Sequence, residues 1–182
     1  MNLAFSTTWN ERMGELAGQP TYFVRKIMNG LINEGLINSN VFDDFAYKYM
    51  NTFHEGLGTL SPNSDFPKLH TIREDPHDRW KVGNKIHFTI NNRTKDRFQF
   101  APILEVVDEY RIIINPINKE IHKAKYIIKS HKEVIIGHGE ELDANKIAIN
   151  DGFDTIDDFF RWFYNEGKVF IPKIIHWTDL KY

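Results

Sequence analysis

Lys85-Ile86-His87-Phe88-Thr89-Ile90, followed by Asn91-Asn92, sets an apolar side chain at every second residue and then stops at two turn formers. Successive side chains of an extended chain point to opposite faces, so a period of two marks a half-buried strand. Downstream, Phe98 to Val107, Tyr110 to Asn115, His122 to Lys129 and Glu133 to His138 repeat the signal between turn-prone residues. Strands this short and frequent predict a small barrel. Upstream the period lengthens. Phe23, Ile27 and Leu31, with Val24, Met28 and Ile32 beside them, recur at three and four between Pro20 and Gly35, which predicts a helix over 20–34. Asn40 is placed to cap a second helix with Val41, Phe45, Tyr49 and Phe53 on one face, and 55–67 reads as a long loop. After the strands the helical period returns over 142–150. Thr155-Ile156-Asp157-Asp158 resembles a capping box opening a helix whose Phe159, Phe160 and Phe163 turn inward. Leu3 to Ser6 at the start and Ile171 to Trp177 at the end read as two more strands, giving an α+β class.

The 182 residues, 41% of them hydrophobic and with 14 Phe, suffice for one core, so residues 1–182 are expected to form a single domain. The chain has no cysteine, which excludes disulfides, thiolate catalysis and cysteine-ligated metal. Neither a basic leader nor an apolar run of about 18 residues is present, so a cytoplasmic protein with no membrane partner is expected. The eight histidines form no His-x-x-x-His pair and no carboxylate stands at ligand spacing, so no metal and no cofactor are expected. No Gly-x-Gly-x-x-Gly, P-loop or Gly-x-Ser-x-Gly motif is present, which disfavours dinucleotide, nucleoside triphosphate and hydrolase-elbow chemistry.

The net charge of -2 hides an asymmetry. Arg79 to Arg97 carries six basic residues against Asp96 alone, and Glu140 to Glu166 carries eight acids against Lys146 and Arg161. Within the basic tract, Trp80 between Arg79 and Lys81 reads either as a platform for a stacked base or as a plug in the barrel end. Arg93 and Arg97 flank a loop that either contacts phosphates or simply turns the chain at Asn91-Asn92. In Lys68-Leu-His-Thr71-Ile-Arg73, Thr71 and Arg73 share a strand face, and Lys68 joins them only where the backbone bends or bulges. Such a trio is either a solvated strand edge or the lining of a site.

Lys68-x-x-Thr71-Ile-Arg73, then Trp80-Lys81-Val82-Gly83-Asn84-Lys85-Ile86, then Asp151-Gly152-Phe153 before a capped helix, together resemble the ASCH domain. The resemblance spans roughly 1–35 and 68–182, leaving 36–67 as an insertion, and the phage and prophage-type members ending in His-Trp-Thr-Asp-Leu-Lys-Tyr look similar throughout. It implies a PUA-like β-barrel flanked by helices and a cleft that takes RNA or a modified nucleoside. One branch, similar to the N4-acetylcytidine amidohydrolases, implies catalytic roles for Lys68 and Thr71. Its carboxylate falls on Asp151, one methylene shorter than the glutamate usual there. Two functions are therefore expected to compete. One is an RNA- or nucleoside-binding module using Arg73, Arg79, Trp80, Lys81, Arg93 and Arg97; the other is an amidohydrolase using Lys68, Thr71 and Asp151. A third is a phage interaction protein in which the barrel is scaffold. The sequence leaves the oligomeric state open.

Overall fold

The computed structural model describes residues 1–57, 66–130, 133–164 and 166–182. In chain order these form β1 (Asn2–Ala4), a 3-10 helix (Glu11–Leu16), α1 (Phe23–Asn33), α2 (Ser39–Phe53), β2 (His70–Arg73) and β3 (Lys85–Ile90). There follow β4 (Phe98–Gln99), β5 (Leu104–Glu105), β6 (Asp108–Asn115), β7 (Glu120–Ser130), β8 (Glu133–Leu142), α3 (Ala144–Asn150), α4 (Ile156–Trp162) and β9 (Lys173–His176). Residues 58–65 of the expected long loop, and His131, lie outside the described residues.

The class is α+β, with two sheets. In the first, β3 pairs with β1 in parallel and with β4 and β5 antiparallel; the second runs antiparallel in the order β2-β9-β6-β7-β8. Strand pairing among the described residues does not close into the barrel expected from the sequence. The sheets meet at one corner instead, where the Val106 N–H donates to Asn84 O and the Val107 N–H to His176 O, both at 2.9 Å. The expected strand from Phe98 to Val107 is two short ones, because Pro102 lacks a ladder donor and restricts the residue before it.

The alternation of β3 is realised: Ile86, Phe88 and Ile90 are buried, and Phe88 packs edge-on against Trp177 at 5.1 Å. Helix starts shift by a few residues for local reasons. Pro20 bridges to Thr8 in extended conformation, so α1 begins at Phe23, whose N–H donates to Thr21 Oγ1. α2 is capped by Asn38 rather than Asn40, its side chain accepting from the Val41 N–H at 3.0 Å. Asp143 caps α3 by accepting from the Lys146 N–H, and Thr155 caps α4 by accepting from the Asp158 N–H. A second aromatic cluster, with Trp9 within 5.3–5.5 Å of Phe23, Phe153 and Trp162, ties α1, α4 and the segment between α3 and α4 into one body.

Trp80 is 5% exposed, in the hydrophobic core. The Asp75 carboxylate accepts from the Arg79 and Trp80 N–H groups, both at 2.9 Å, and fixes the residue from behind. The platform expectation is corrected: no ring face is left for a base, because the indole contributes more as buried apolar area than as exposed stacking surface. Trp80→Ala is expected to lower unfolding free energy in urea by about 3–5 kcal/mol, and Arg79→Ala by under about 0.5 kcal/mol. A near-neutral Trp80→Ala would contradict the assignment of Trp80 to the core.

Candidate functional site

Two short segments make the site, and each is held by the other. Ahead of β2, the Lys68 N–H donates to Lys26 O of α1 at 3.0 Å and the Leu69 N–H to Asn150 O of α3 at 2.7 Å. These bonds bend the chain before the strand starts at His70, which lets Lys68 face the same space as Thr71 and Arg73. α1 comes close enough that a Cβ on Gly30 would stand 2.9 Å from Leu69 Cδ2 and 3.0 Å from Lys68 O. Across the site, α3 ends in a Schellman motif, the Gly152 N–H bonding to Ile149 O and the Phe153 N–H to Ala148 O. Gly152 has φ +87, and a Cβ there would also press on the Lys68 stem at 3.2–3.3 Å. Glycine is thus required by the backbone and by the lysine together.

The motif residues converge. Lys68 Nζ donates to both the carboxylate Oδ1 and the backbone carbonyl of Asp151. Lys68, Thr71 and Asp151 are all buried, at 2%, 2% and 3% exposed. With Arg73, Phe5, Ser6, Phe23, Trp162 and others they line a cavity of about 20 Å³, room for about one water or one small ligand group. The Ile72 N–H bonds to the Asp151 carboxylate, and the Phe23 ring lies 4.8 Å from Lys68 Nζ. Arg73 Nη2 donates to Ala4 O at 2.6 Å, while its buried Nε has no hydrogen-bond partner among the described residues.

Burial sets the electrostatics. It pulls the Lys68 ammonium down to about 8 despite the opposing Asp151, with Arg73 and Lys26 adding to the fall. It pushes the Asp151 carboxyl up against the pull of Lys68 and Arg73, and it lowers Arg73. Lys173 gives the contrast. That buried lysine meets Asp78 at 2.5 Å, Glu109 at 2.9 Å and Asp75 at 3.5 Å, and Asp78 and Glu109 raise it despite burial. One buried lysine is saturated with carboxylates and ties the core to Trp80 O; the other, with a single carboxylate beside two further cations, sits near its ionisation point.

The expected polynucleotide tract is divided by the fold. Arg79, Lys81, Arg93 and Arg97 are all exposed, but they differ in their partners. Lys81 pairs with Asp78 and stands 3.7 Å from Glu109, and Arg97 donates to Asn2 Oδ1 at 3.0 Å. Asn91 turns the chain at φ +51 and Arg93 at +67, so the turn reading of the Asn-rich loop holds. Sequence reasoning missed Lys26, whose Nζ donates to Gly152 O at 2.9 Å and Asp154 Oδ1 at 2.6 Å, and it missed His70 and Tyr182. Lys26 interrupts the apolar stripe of α1 between Phe23 and Ile27, which was a legible signal for a buried charge. Among the described residues no helix is long and apolar enough to cross a membrane. No family model matches the chain, and comparison with curated proteins and with solved structures gives no match either.

Because folding lowers the Lys68 pKa from its ordinary 10.5 to about 8, the unfolded chain holds that proton more tightly. The charged lysine therefore weighs against the fold below about pH 8, and stability rises as pH climbs from there toward 10.5. In urea unfolding, the stability of the wild type minus that of Lys68→Met should grow over this window. A flat difference would contradict a depressed lysine.

Proposed function

We propose that the chain is an ASCH-type, PUA-like module that binds a nucleoside, free or as one residue of an RNA, at the Lys68 cleft. The observation that carries this reading is the convergence of Lys68, Thr71, Arg73 and Asp151, brought from positions some eighty residues apart, on one cavity. A bland strand edge would leave them solvated. The cavity admits one small group, and the lining suits an oxygen acceptor: an ammonium, a hydroxyl and an Arg73 Nε that has no partner among the described residues. A groove of about 320 Å³ formed by Thr7, Thr8, Tyr22, Arg25, Tyr49 and Glu55, among others, shares Phe23 with it. That volume is within the range of small-molecule sites, and it supports a ligand whose carbonyl enters the cavity while the rest of it lies in the groove. Arg79 and Arg93, exposed on the surface, remain available to an adjoining phosphate backbone.

Amide hydrolysis is the second reading, favoured by the ionisation of Lys68. At a pKa of about 8 a useful fraction is neutral near physiological pH. Neutral Lys68 would accept the Thr71 hydroxyl proton as Thr71 Oγ attacks an acyl carbonyl carbon. The same proton would then pass to the departing amine nitrogen as the C–N bond breaks, and water would hydrolyse the acyl-threonine to free acid. Asp151 would orient the lysine.

Calorimetric titration with cytidine and N4-acetylcytidine, beside retention of a single-stranded RNA at several salt concentrations, separates the possibilities. Nucleoside binding should weaken at least about tenfold in Lys68→Met, the cost of one lost charged hydrogen bond, and stay unchanged in Arg79→Ala. Release of acetate from N4-acetylcytidine, abolished in Thr71→Val, would establish the hydrolase. Absence of nucleoside binding, with RNA retention that falls steeply with salt and depends on Arg79 and Arg93, would overturn the cleft as the binding site.

A further inference from the structure

Behind the Lys68–Asp151 pair lies a layer of two buried histidines and two half-buried tyrosines that neither binding nor hydrolysis uses. His70 and His176 are each 0% exposed, with ring centroids 5.3 Å apart. Tyr182 packs edge-on against His70 at 5.4 Å and Tyr110 stacks on His176 at 5.6 Å. The hydrogen bonds in this layer have a direction. Burial raises the Tyr182 phenol, which stays protonated. Tyr182 Oη and His70 Nδ1 are 2.8 Å apart, and the Asp151 carboxylate on the far side of the ring, 4.0 Å from Nε2, favours the tautomer in which the phenol donates to Nδ1. Burial, His176 and Lys68 keep the His70 imidazole neutral. A neutral ring that accepts at Nδ1 carries its proton on Nε2. That Nε2 has no partner among the described residues and stands 4.0 Å from Asp151 Oδ1, one small side-chain adjustment from a hydrogen bond.

We propose that His70, with its tautomer set by Tyr182, is a positioning residue whose Nε2–H holds Asp151 ionised opposite Lys68. The role rests on the reading that Lys68 and Asp151 form the functional pair, and it follows from how Asp151 is surrounded. Its carboxylate meets Lys68, Arg73 and the Ile72 N–H in a site whose burial favours the neutral acid. A donor without charge adds stabilisation for the anion without adding to the repulsion among Lys68, Arg73 and Lys26. Of the other charged groups near this layer, Asp108, Lys181 and Lys123 act on His176, and Asp143 and Lys146 face Tyr182; none of them acts on His70. The arrangement parallels the orienting of one catalytic group by another through a fixed tautomer, here with the imidazole serving the carboxylate.

The test is a carbon-13 NMR titration of the Asp151 carboxyl, with nitrogen-15 shifts of the His70 ring, in the full chain. Wild type should show the Nε2–H tautomer. His70→Leu should move the Asp151 midpoint up by about one pH unit, and His70→Gln, which keeps an N–H at the same reach, should restore it. Tyr182→Phe, which removes one oxygen and keeps the ring, should shift the His70 proton toward Nδ1 and raise the midpoint in part. Equal midpoints for His70→Leu and His70→Gln, or a wild-type ring protonated on Nδ1, would overturn the proposal. If the titrations behave as expected and no nucleoside binds, the positioning role stands and the assigned ligand falls.

Discussion

A lysine ammonium held on a carboxylate in a small buried cavity is the constraint around which this fold is arranged. Lys68 reaches Asp151 because the segment ahead of β2 is bonded on one side to α1 and on the other to α3. Each neighbour is then specified by that approach. Gly30 lets α1 close on Leu69 and the Lys68 carbonyl, Gly152 turns α3 away with room for the lysine stem, and Phe23 roofs the ammonium. Lys26 adds a second buried cation to the same loop, binding Gly152 O and Asp154. The carbonyl end of α3 thus meets two ammonium groups, a placement that its unpaired C=O groups and their partial negative charge favour.

Burying a charge pair in this way is a poor route to stability. Desolvation of two ions cancels much of their attraction, and an apolar pair of similar size commonly does as well or better. The comparison with Lys173 is instructive. There three acids and a carbonyl surround the ammonium, the lysine is raised, and the cluster binds β9 to the turn before β3. At Lys68 one carboxylate faces Lys68 and Arg73, Lys26 being held by Asp154, and both partners of the pair shift toward their neutral forms. Shifts of this direction in a cavity-lining pair are more characteristic of sites than of staples, and the orphaned Arg73 Nε beside them adds a donor that a ligand can satisfy.

Much of this was legible in the sequence wherever the signal was periodic. The alternation of β3, the apolar stripe of α1 and the Thr155 cap all declare themselves in short windows, since local geometry alone sets their spacing. The barrel was not, because closure depends on which edges meet across the molecule, and Pro102 breaks the strand that was expected to run through it. The motif lysine, threonine and Asp151 could be named, but their meeting depends on two backbone bonds from distant helices. The fates of Trp80 and Lys81 were equally hidden: a basic tract says nothing of Asp75, Asp78 and Glu109, which the fold brings to it. His70 carried no signal, since only the approach of Tyr182 and Asp151 distinguishes it from any other strand histidine.

The most direct measurement follows Lys68 itself. Proton and nitrogen-15 NMR of its side chain, assigned through Lys68→Arg, reports the ionisation of this one ammonium across pH. A midpoint at about 8 is expected, with perturbation of the same resonance when cytidine is added. A midpoint at the ordinary 10.5 with no response to nucleoside would show that Asp151 fully offsets burial, as the acids do at Lys173, and would contradict the site.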